Sequence, residues 1–410
     1  MNNFDQVKQA SLEQIDEATR YNTLILLSEL ITTNYKMIIA ENKKDLANMD
    51  KNDPKYDRLE LDKDRIIGIA TDVIKVANLP FEINQILDSK VLPNGLELKK
   101  QRVPLGVVAA IFESRPNVII DIFSLCFRSG NACILKGGKE AHYSNTAFYG
   151  LIEQALTHYK LNPHLVHLMS SERGAVFDLL NATGVVDVCI PRGSAELINF
   201  VRENAKVPII ETGAGIVHAY FDVSADIEKA QQIIHNAKTR RVSVCNALDT
   251  LIIHQERLDD LFKLITPLIE NNVEIYADKE SYAVLKDVYP QSLLFLATKA
   301  NFGCEFLSYK MSIKTVVSVD DAIKHIRQYS SKHSEVIIAE DKNVVQYFLN
   351  RVDAAVVYVN ASTAFTDGGE FGMGAEVGIS TQKLHVRGPM GLEALTSYKW
   401  LVYGTGQIRK

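Results

Sequence analysis

At Val107 the hydrophobic period of this chain changes, and the change narrows the folds open to it. Short runs that are apolar on every side begin to alternate with amphipathic stretches. The runs cover 107–112, 132–135, 165–168, 185–190 and 207–210, and helical patterns lie between them near 118–128, 143–159, 174–180 and 195–204. A strand apolar on both sides needs cover on both faces, as in a parallel sheet. Strand and helix in alternation predict a doubly wound α/β domain. A second α/β region follows, with strands expected at 250–254, 315–319, 336–339 and 354–359. A last strand-like stretch lies at 398–403, inside a glycine-crowded segment from 368 to 406.

Before Val107 the pattern is helical. Leu12, Ile15, Ala18, Leu24, Leu27 and Ile31 predict one apolar stripe, and Leu61, Ile66, Ile69, Val73 and Ala77 a second. The charged stretch from Lys43 to Asp64, with Pro54, reads as a surface connection. Residues 91–103 alternate around Asn94-Gly95, a hairpin signal because both residues accept positive φ. No internal repeat or low-complexity linker separates these regions.

Length and composition fit this picture. At roughly 150 residues per domain, 410 residues suggest two or three domains. A net charge of -5 argues against general electrostatic binding to nucleic acid. Five cysteines without a CxxC pair exclude a disulfide scaffold and the common zinc-finger spacings, and no metal site is expected. The N-terminus lacks a signal pattern, and no apolar run approaches the roughly 20 residues that cross a bilayer. A cytoplasmic protein without a membrane partner is expected.

In open α/β sheets, ligands bind at the carboxyl ends of strands. Four strand ends here are polar or glycine-rich: Glu113 to Asn117, Lys136 to Glu140, Pro191 to Ser194, and Glu211 to Gly215. Glycines let a backbone approach phosphate or ribose, and a helix start at Ser194 offers N–H groups to an anion. A nucleotide site fits, although GxGxxG is absent; ordinary turns remain the alternative. Cys245, in Arg240-Arg241-Val242-Ser243-Val244-Cys245-Asn246, is a candidate nucleophile. Cationic neighbours and backbone N–H groups favour thiolate, and the competing reading is a buried core cysteine. Cys126, Cys133, Cys189 and Cys304 take that plainer reading.

Several segments carry a resemblance. They are Val103-Pro104-Leu105-Gly106-Val107, Ser114-Arg115-Pro116-Asn117-Val118, Ser129-Gly130-Asn131-Ala132, Ser243-Val244-Cys245-Asn246-Ala247-Leu248, and a long block from Val359 through Gln407. That block contains Glu370-Phe371-Gly372-Met373-Gly374-Ala375-Glu376 and Arg387-Gly388-Pro389-Met390-Gly391-Leu392. With these, the chain resembles, end to end, the gamma-glutamyl phosphate reductases of the aldehyde dehydrogenase superfamily, also called glutamate-5-semialdehyde dehydrogenases.

The resemblance implies NADPH-dependent reduction of L-glutamyl 5-phosphate to L-glutamate 5-semialdehyde, the second step of proline biosynthesis from glutamate. Cys245 matches the nucleophile that forms a thioester. Asn117 matches the side-chain oxyanion donor, with a helix cap after Pro116 as its alternative. Lys136 and Glu140 match positions at the adenosine ribose, Gly193 and Ser194 a turn beside the cofactor phosphates, and Glu305 a contact of the nicotinamide ribose. Glu211 matches the base that activates water in hydrolytic relatives. Because phosphate is the group exchanged here, Glu211 is expected to order the site or the nicotinamide instead. Arg115, Arg241 and Arg387 are candidates for the substrate's anionic groups, since a guanidinium fork suits phosphate and carboxylate.

The resemblance also implies an aldehyde-dehydrogenase-like architecture of two doubly wound α/β domains. A Rossmann-variant cofactor domain is expected over 1–216, with a hairpin arm at 91–104, and a catalytic domain over 217–375. Residues 376–410 return to the cofactor domain and form a C-terminal arm. Arms of this kind expose unpaired edges, which argues for a homo-oligomer. The lability of an acyl phosphate gives a reason for transient contact with glutamate 5-kinase, for which no residue speaks. Two departures from the family pattern, at 191–194 and 213–218, lie near the cofactor. The competing functions are a hydrolytic aldehyde dehydrogenase and a non-catalytic subunit that keeps the fold.

Overall fold

The computed structural model describes residues 3–409 except 52, 54, 55 and 173, so Pro54 lies outside the described residues. The chain forms two units. One comprises Met1–Thr212, Gly368–Gly378 and Pro389–Lys410, and the other Gly213–Asp367 and Ile379–Gly388. The observed crossings thus fall at 212/213, 367/368, 378/379 and 388/389, where the sequence reading places them after 216 and 375.

The first unit is built on four parallel strands: β3 (Val107–Phe112), β4 (Ala132–Gly137), β5 (Val166–Leu168) and β6 (Val188–Arg192), in the order β5-β4-β3-β6. All six residues of β3 and of β4 are buried, as strands covered on both faces require. The helices Val118–Arg128 and Ala195–Asn204 have the bounds their periodicity predicts. Residues 207–210 do not form the expected strand. Ile209 makes an isolated bridge to Cys189, and Pro208, which has no N–H, prevents a continued ladder.

The N-terminal helices differ from the simple stripe. Asp16 accepts from Thr19 N at 2.8 Å and starts the helix Glu17–Thr33, so Leu12 falls outside it and is exposed. Leu24, Leu27 and Ile31 are buried, as are Ile66, Ile69, Val73 and Ala77 of Lys63–Asn78. The stretch after Lys43 is not merely a surface connection. Asp45 is buried and accepts from Tyr143 N at 3.0 Å and Ser144 N at 2.8 Å, capping the helix His142–His158.

The expected hairpin is present as β1 (Ile86–Val91) and β2 (Glu97–Pro104), turning through Asn94 and Gly95, with Gly95 at φ 86°. The C-terminal strand Thr396–Tyr403 pairs antiparallel with β2 along its whole length, from Thr396 opposite Pro104 to Tyr403 opposite Glu97. The result is a three-stranded sheet with Tyr398, Trp400, Val402 and Tyr403 exposed.

The second unit is a seven-stranded parallel sheet. Its strands are β7 (Val217–Phe221), β8 (Leu248–His254), β9 (Glu274–Ala277), β10 (Leu294–Leu296), β11 (Lys310–Val316), β12 (Ser334–Ile338) and β13 (Val356–Val359), in the order β10-β9-β11-β8-β7-β12-β13. β7, β9 and β10 are additions to the expected set. The strand expected at 315–319 ends at Val316, because Ser318 accepts from Asp321 N at 3.2 Å and opens the helix Val319–Tyr329. One core face is built on Val217, Leu251, Ile253, Ile275 and Ile313, and the other on Tyr220, Ile252, Ile337 and Phe348. Among the described residues no single helix is long and apolar enough to cross a membrane.

Candidate active site

In the first unit, a cavity of about 610 Å³ lies at the carboxyl ends of β3, β4 and β6. Its lining includes Glu113, Lys136, Gly138, Glu140 and Ser194. Lys136 is buried at the end of β4 and its Nζ donates to Gly137 O at 3.0 Å and Ser171 O at 3.2 Å. Burial lowers its pKa, opposed by the nearby Glu140 carboxylate. Glu140 Oε1 accepts from Ser114 N at 2.7 Å and Ser114 Oγ at 2.9 Å, so this carboxylate turns back onto the loop after β3.

Ser194 caps the helix Ala195–Asn204 by accepting from Leu197 N at 3.3 Å. Its own N–H donates to Glu113 Oε2 at 2.9 Å. A carboxylate thus sits where a helix start attracts anions. A Cβ on Gly193 would lie 2.5 Å from the same oxygen, so the Glu113 carboxylate packs directly against this turn. Sequence reading missed Glu113 in this role, because nothing local ties it to residues about eighty positions onward.

Asn117 does not cap its helix. It makes no side-chain capping bond; instead Nδ2 donates to Asp121 Oδ2 at 2.8 Å. Glu211 is held by the guanidinium of Arg202, with Nε to Oε1 at 2.7 Å and Nη2 to Oε2 at 2.5 Å. Both carboxylate oxygens are engaged. Arg115 is partly buried in the loop before Val118.

In the second unit, Cys245 lies half-buried on a turn between the helix Ile227–Thr239 and β8. The turn is pinned from two sides. A Cβ on Gly215 would sit 1.6 Å from the Cys245 carbonyl oxygen and 2.6 Å from its Cα, so the two backbones are in direct contact. On the other side, Asn246 Nδ2 donates to Thr366 O at 3.1 Å, and Thr363 Oγ1 donates to Asn246 O at 2.8 Å. Glu305 Oε1 accepts from Gly215 N at 2.9 Å. The residue expected at a ribose therefore also fixes the loop that carries Gly215.

Asp249 ties these segments together. It is buried and accepts from Phe306 N at 3.0 Å and Val217 N at 3.3 Å. Lys238 is fully buried and donates to Leu248 O at 2.9 Å. Burial pushes the Lys238 pKa down and the Asp249 pKa up, each opposed by the other's charge. The expected cationic neighbours, Arg240 and Arg241, are exposed, and the helix end before Cys245 is a C-terminus, which presents carbonyls. Arg387 pairs with Asp353 at 2.6 Å, and Lys383 reaches the same carboxylate at 2.9 Å. These two cations hold Asp353 down at about 2.

The plainer reading fits three of the other cysteines. Cys126, Cys133 and Cys189 are buried, and burial raises the thiol pKa of Cys126 and Cys189. Cys304 is instead partly exposed. Among the described residues, no group of three or more His, Cys, Asp or Glu is placed to hold a metal ion.

Comparison with known proteins extends this picture. Residues 29–275 match the aldehyde dehydrogenase family. The gamma-glutamyl phosphate reductase of Legionella pneumophila (strain Paris) is 60% identical over 398 residues, covering 97% of this chain and 95% of that protein. The crystal structure of gamma-glutamyl phosphate reductase from Thermotoga maritima is 35% identical, with a TM-score of 0.93 over 100% of this chain and 99% of that one. An acetylating aldehyde dehydrogenase from Geobacillus thermoglucosidasius shares the fold at 16% identity and a TM-score of 0.74, covering 100% and 97% of the two chains. The α/β fold is that of the aldehyde dehydrogenases, and the chain belongs to the gamma-glutamyl phosphate reductases, oxidoreductases of that family.

Proposed function

We propose that this protein reduces L-glutamyl 5-phosphate to L-glutamate 5-semialdehyde and phosphate, with NADPH as the reductant, in the cytoplasmic route from glutamate to proline. The observation that carries the phosphate-linked reading is the Arg202–Glu211 pair. The carboxylate matched to a water-activating base is gripped at both oxygens. A base so engaged is poorly placed to take a proton from water, because the guanidinium already occupies lone pairs on both its oxygens. A thioester on this chain is then cleared by phosphate or hydride rather than by activated water.

Cys245 Sγ attacks the acyl carbon of the substrate, and phosphate leaves with the electrons of the broken C–O bond. A thioester replaces the mixed anhydride. NADPH, held by the residues named below, would supply the hydride that reduces the thioester on Cys245 to a thiohemiacetal. Collapse of that species breaks the C–S bond, returns the thiolate and releases the semialdehyde. Both addition steps build an oxyanion, for which the Asn117 side chain and the Cys245 N–H are the donors. Removing one such donor costs on the order of 10²–10³ in rate.

The cavity at β3, β4 and β6 fits the adenosine half of a dinucleotide in size and in chemistry. Lys136 and Glu140 would hold its ribose, and Gly193 and Ser194 its phosphates. Glu305 is assigned to the nicotinamide ribose. Arg115 and Arg241 are assigned to the substrate's anionic groups, with Arg387 shared between that role and Asp353. The open strand edges of the β1, β2 and C-terminal sheet favour a homo-oligomer.

The test is oxidation of L-glutamate 5-semialdehyde by NADP+ with and without inorganic phosphate. Turnover that needs phosphate, and that disappears in Cys245→Ala, is expected. Equal turnover without phosphate would identify a hydrolytic dehydrogenase.

A further inference from the structure

The helix Val118–Arg128 is apolar throughout its length except at Asp121, Ser124 and its final Arg128. Its first seven residues carry one charge, Asp121, and that carboxylate faces back to Asn117, one turn earlier. Arg192 at the end of β6, Asp72 of the helix Lys63–Asn78, and Glu376 are the charged groups that act on it from the surrounding elements. Burial pushes its carboxyl up to about 7, with Arg192 and the Asn117 hydrogen bond pulling the other way. An acid in such a place costs stability, so packing does not account for it.

Hydrogen-bond chemistry does. A side-chain amide has two near-isosteric orientations, with Nδ2 and Oδ1 exchanged. An ionised carboxylate only accepts hydrogen bonds. At 2.8 Å from Asp121 Oδ2, the Asn117 atom must therefore be the donor Nδ2, since an amide oxygen there would meet a second oxygen with no proton between them. One Nδ2–H is spent on Asp121, and the other is left in a single orientation.

We propose that Asp121 is a positioning residue that locks the Asn117 amide with its second N–H presented to the reaction's oxyanion. The inference rests on the reading of Asn117 as an oxyanion donor. It adds that the donor works only while its orientation is enforced by an acceptor-only neighbour. Protonated Asp121 can donate its own O–H to a flipped amide oxygen, so both orientations become accessible and the oxyanion loses its donor for part of the time. Asp121→Asn does the same at every pH, because an amide both donates and accepts.

The experiment measures single-turnover NADP+ reduction with semialdehyde and phosphate, from pH 5.5 to 9 (about 1.5–2 units either side of the carboxyl's raised value), in wild type, Asp121→Asn, Asn117→Ala and the double variant. The wild-type rate is expected to rise with pH through the region near 7 by a limb that Asn117→Ala lacks. A limb common to both belongs to another group, such as the thiol. Asp121→Asn is expected to lose about 10–100-fold in rate, less than full donor removal, with KM for semialdehyde within about threefold. The double variant is expected to be no slower than Asn117→Ala. Wild-type rate in Asp121→Asn, or losses that multiply in the double variant, would overturn the lock while leaving Asn117 as donor. An unimpaired Asn117→Ala would instead remove the underlying reading. Because the pH limb is read in the wild-type enzyme, the inference is decided even where Asp121→Asn does not fold.

Discussion

Gly215 and Cys245 lie backbone to backbone, so close that a methyl group on Gly215 would overlap the cysteine carbonyl at 1.6 Å. Thirty residues apart in the chain, they hold the Cys245 turn by direct backbone contact. Gly215→Ala must push that turn away. Overpacking typically costs about 1–3 kcal/mol in stability, and a displacement near 1 Å at a reacting atom costs about 100-fold in rate. Folded Gly215→Ala with wild-type kcat would show that the turn is not held rigid by this contact.

Removing the thiol should do the reverse, abolishing turnover and leaving the fold intact. Cys245 is half-buried on a turn fixed by its neighbours' backbone and by Asn246. Cys245→Ala is expected to change unfolding free energy by no more than about 0.5 kcal/mol. Acid-quenched wild type should carry a covalent adduct on the Cys245 peptide by mass spectrometry, absent from the variant.

Glu211→Gln is expected to retain phosphate-dependent turnover within a few-fold. Its carboxylate is engaged by Arg202 at both oxygens. Steady-state kinetics at saturating phosphate would check this; a drop on the order of 10³, with cofactor KM unchanged, would restore the base role.

Glu113 occupies the amide at the start of the helix Ala195–Asn204, where a dinucleotide phosphate is expected to bind. Its negative charge opposes an incoming anion. Glu113→Gln is expected to tighten NADP+ binding about 2–5-fold, the range of a charge at a helix terminus. Isothermal calorimetry would measure it, and weaker binding would mean that Glu113 organises the turn for the cofactor.

Asp249 makes a prediction about stability. Burial raises its carboxyl from 3.8 to about 7, so between those values the native state keeps a proton that the unfolded chain has released. Its contribution is therefore fully present below 3.8 and declines as pH rises toward 7. Denaturant titrations of wild type and Asp249→Asn across pH 4 to 8 should show the variant gaining relative to wild type as pH rises. A constant difference would mean that Asp249 titrates normally.

Local elements were legible from the residues wherever the signal was local. The strand at 107–112 and the helices at 118–128 and 195–204 have their expected bounds, since period and caps lie within each segment. β9 and β10, at one edge of the larger sheet, escaped because four and three residues hold too little pattern; β7, buried along its whole length, was not among the expected strands either. Residues 207–210 carried the apolar signal of a strand, but Pro208 lacks the N–H that pairing needs.

The candidate site divides along the same line. Cys245 and Asn117 stand out in short motifs, and chemistry plus resemblance assigns them roles. The Asn117–Asp121 spacing of four is also readable once a helix is expected there. Other relations join distant residues: Gly215 with Glu305 across 90 positions, Asn246 with Thr366 across 120, and Glu113 with Ser194 across 81.

Residue order alone thus settled the α/β alternation and the arm hairpin, because each depends on neighbours within a few residues. Which carboxylates are paired, which glycines touch backbone and which acid faces an amide emerged with folding. Those properties depend on distances through space and on exclusion of water, and neither is encoded in spacing along the chain.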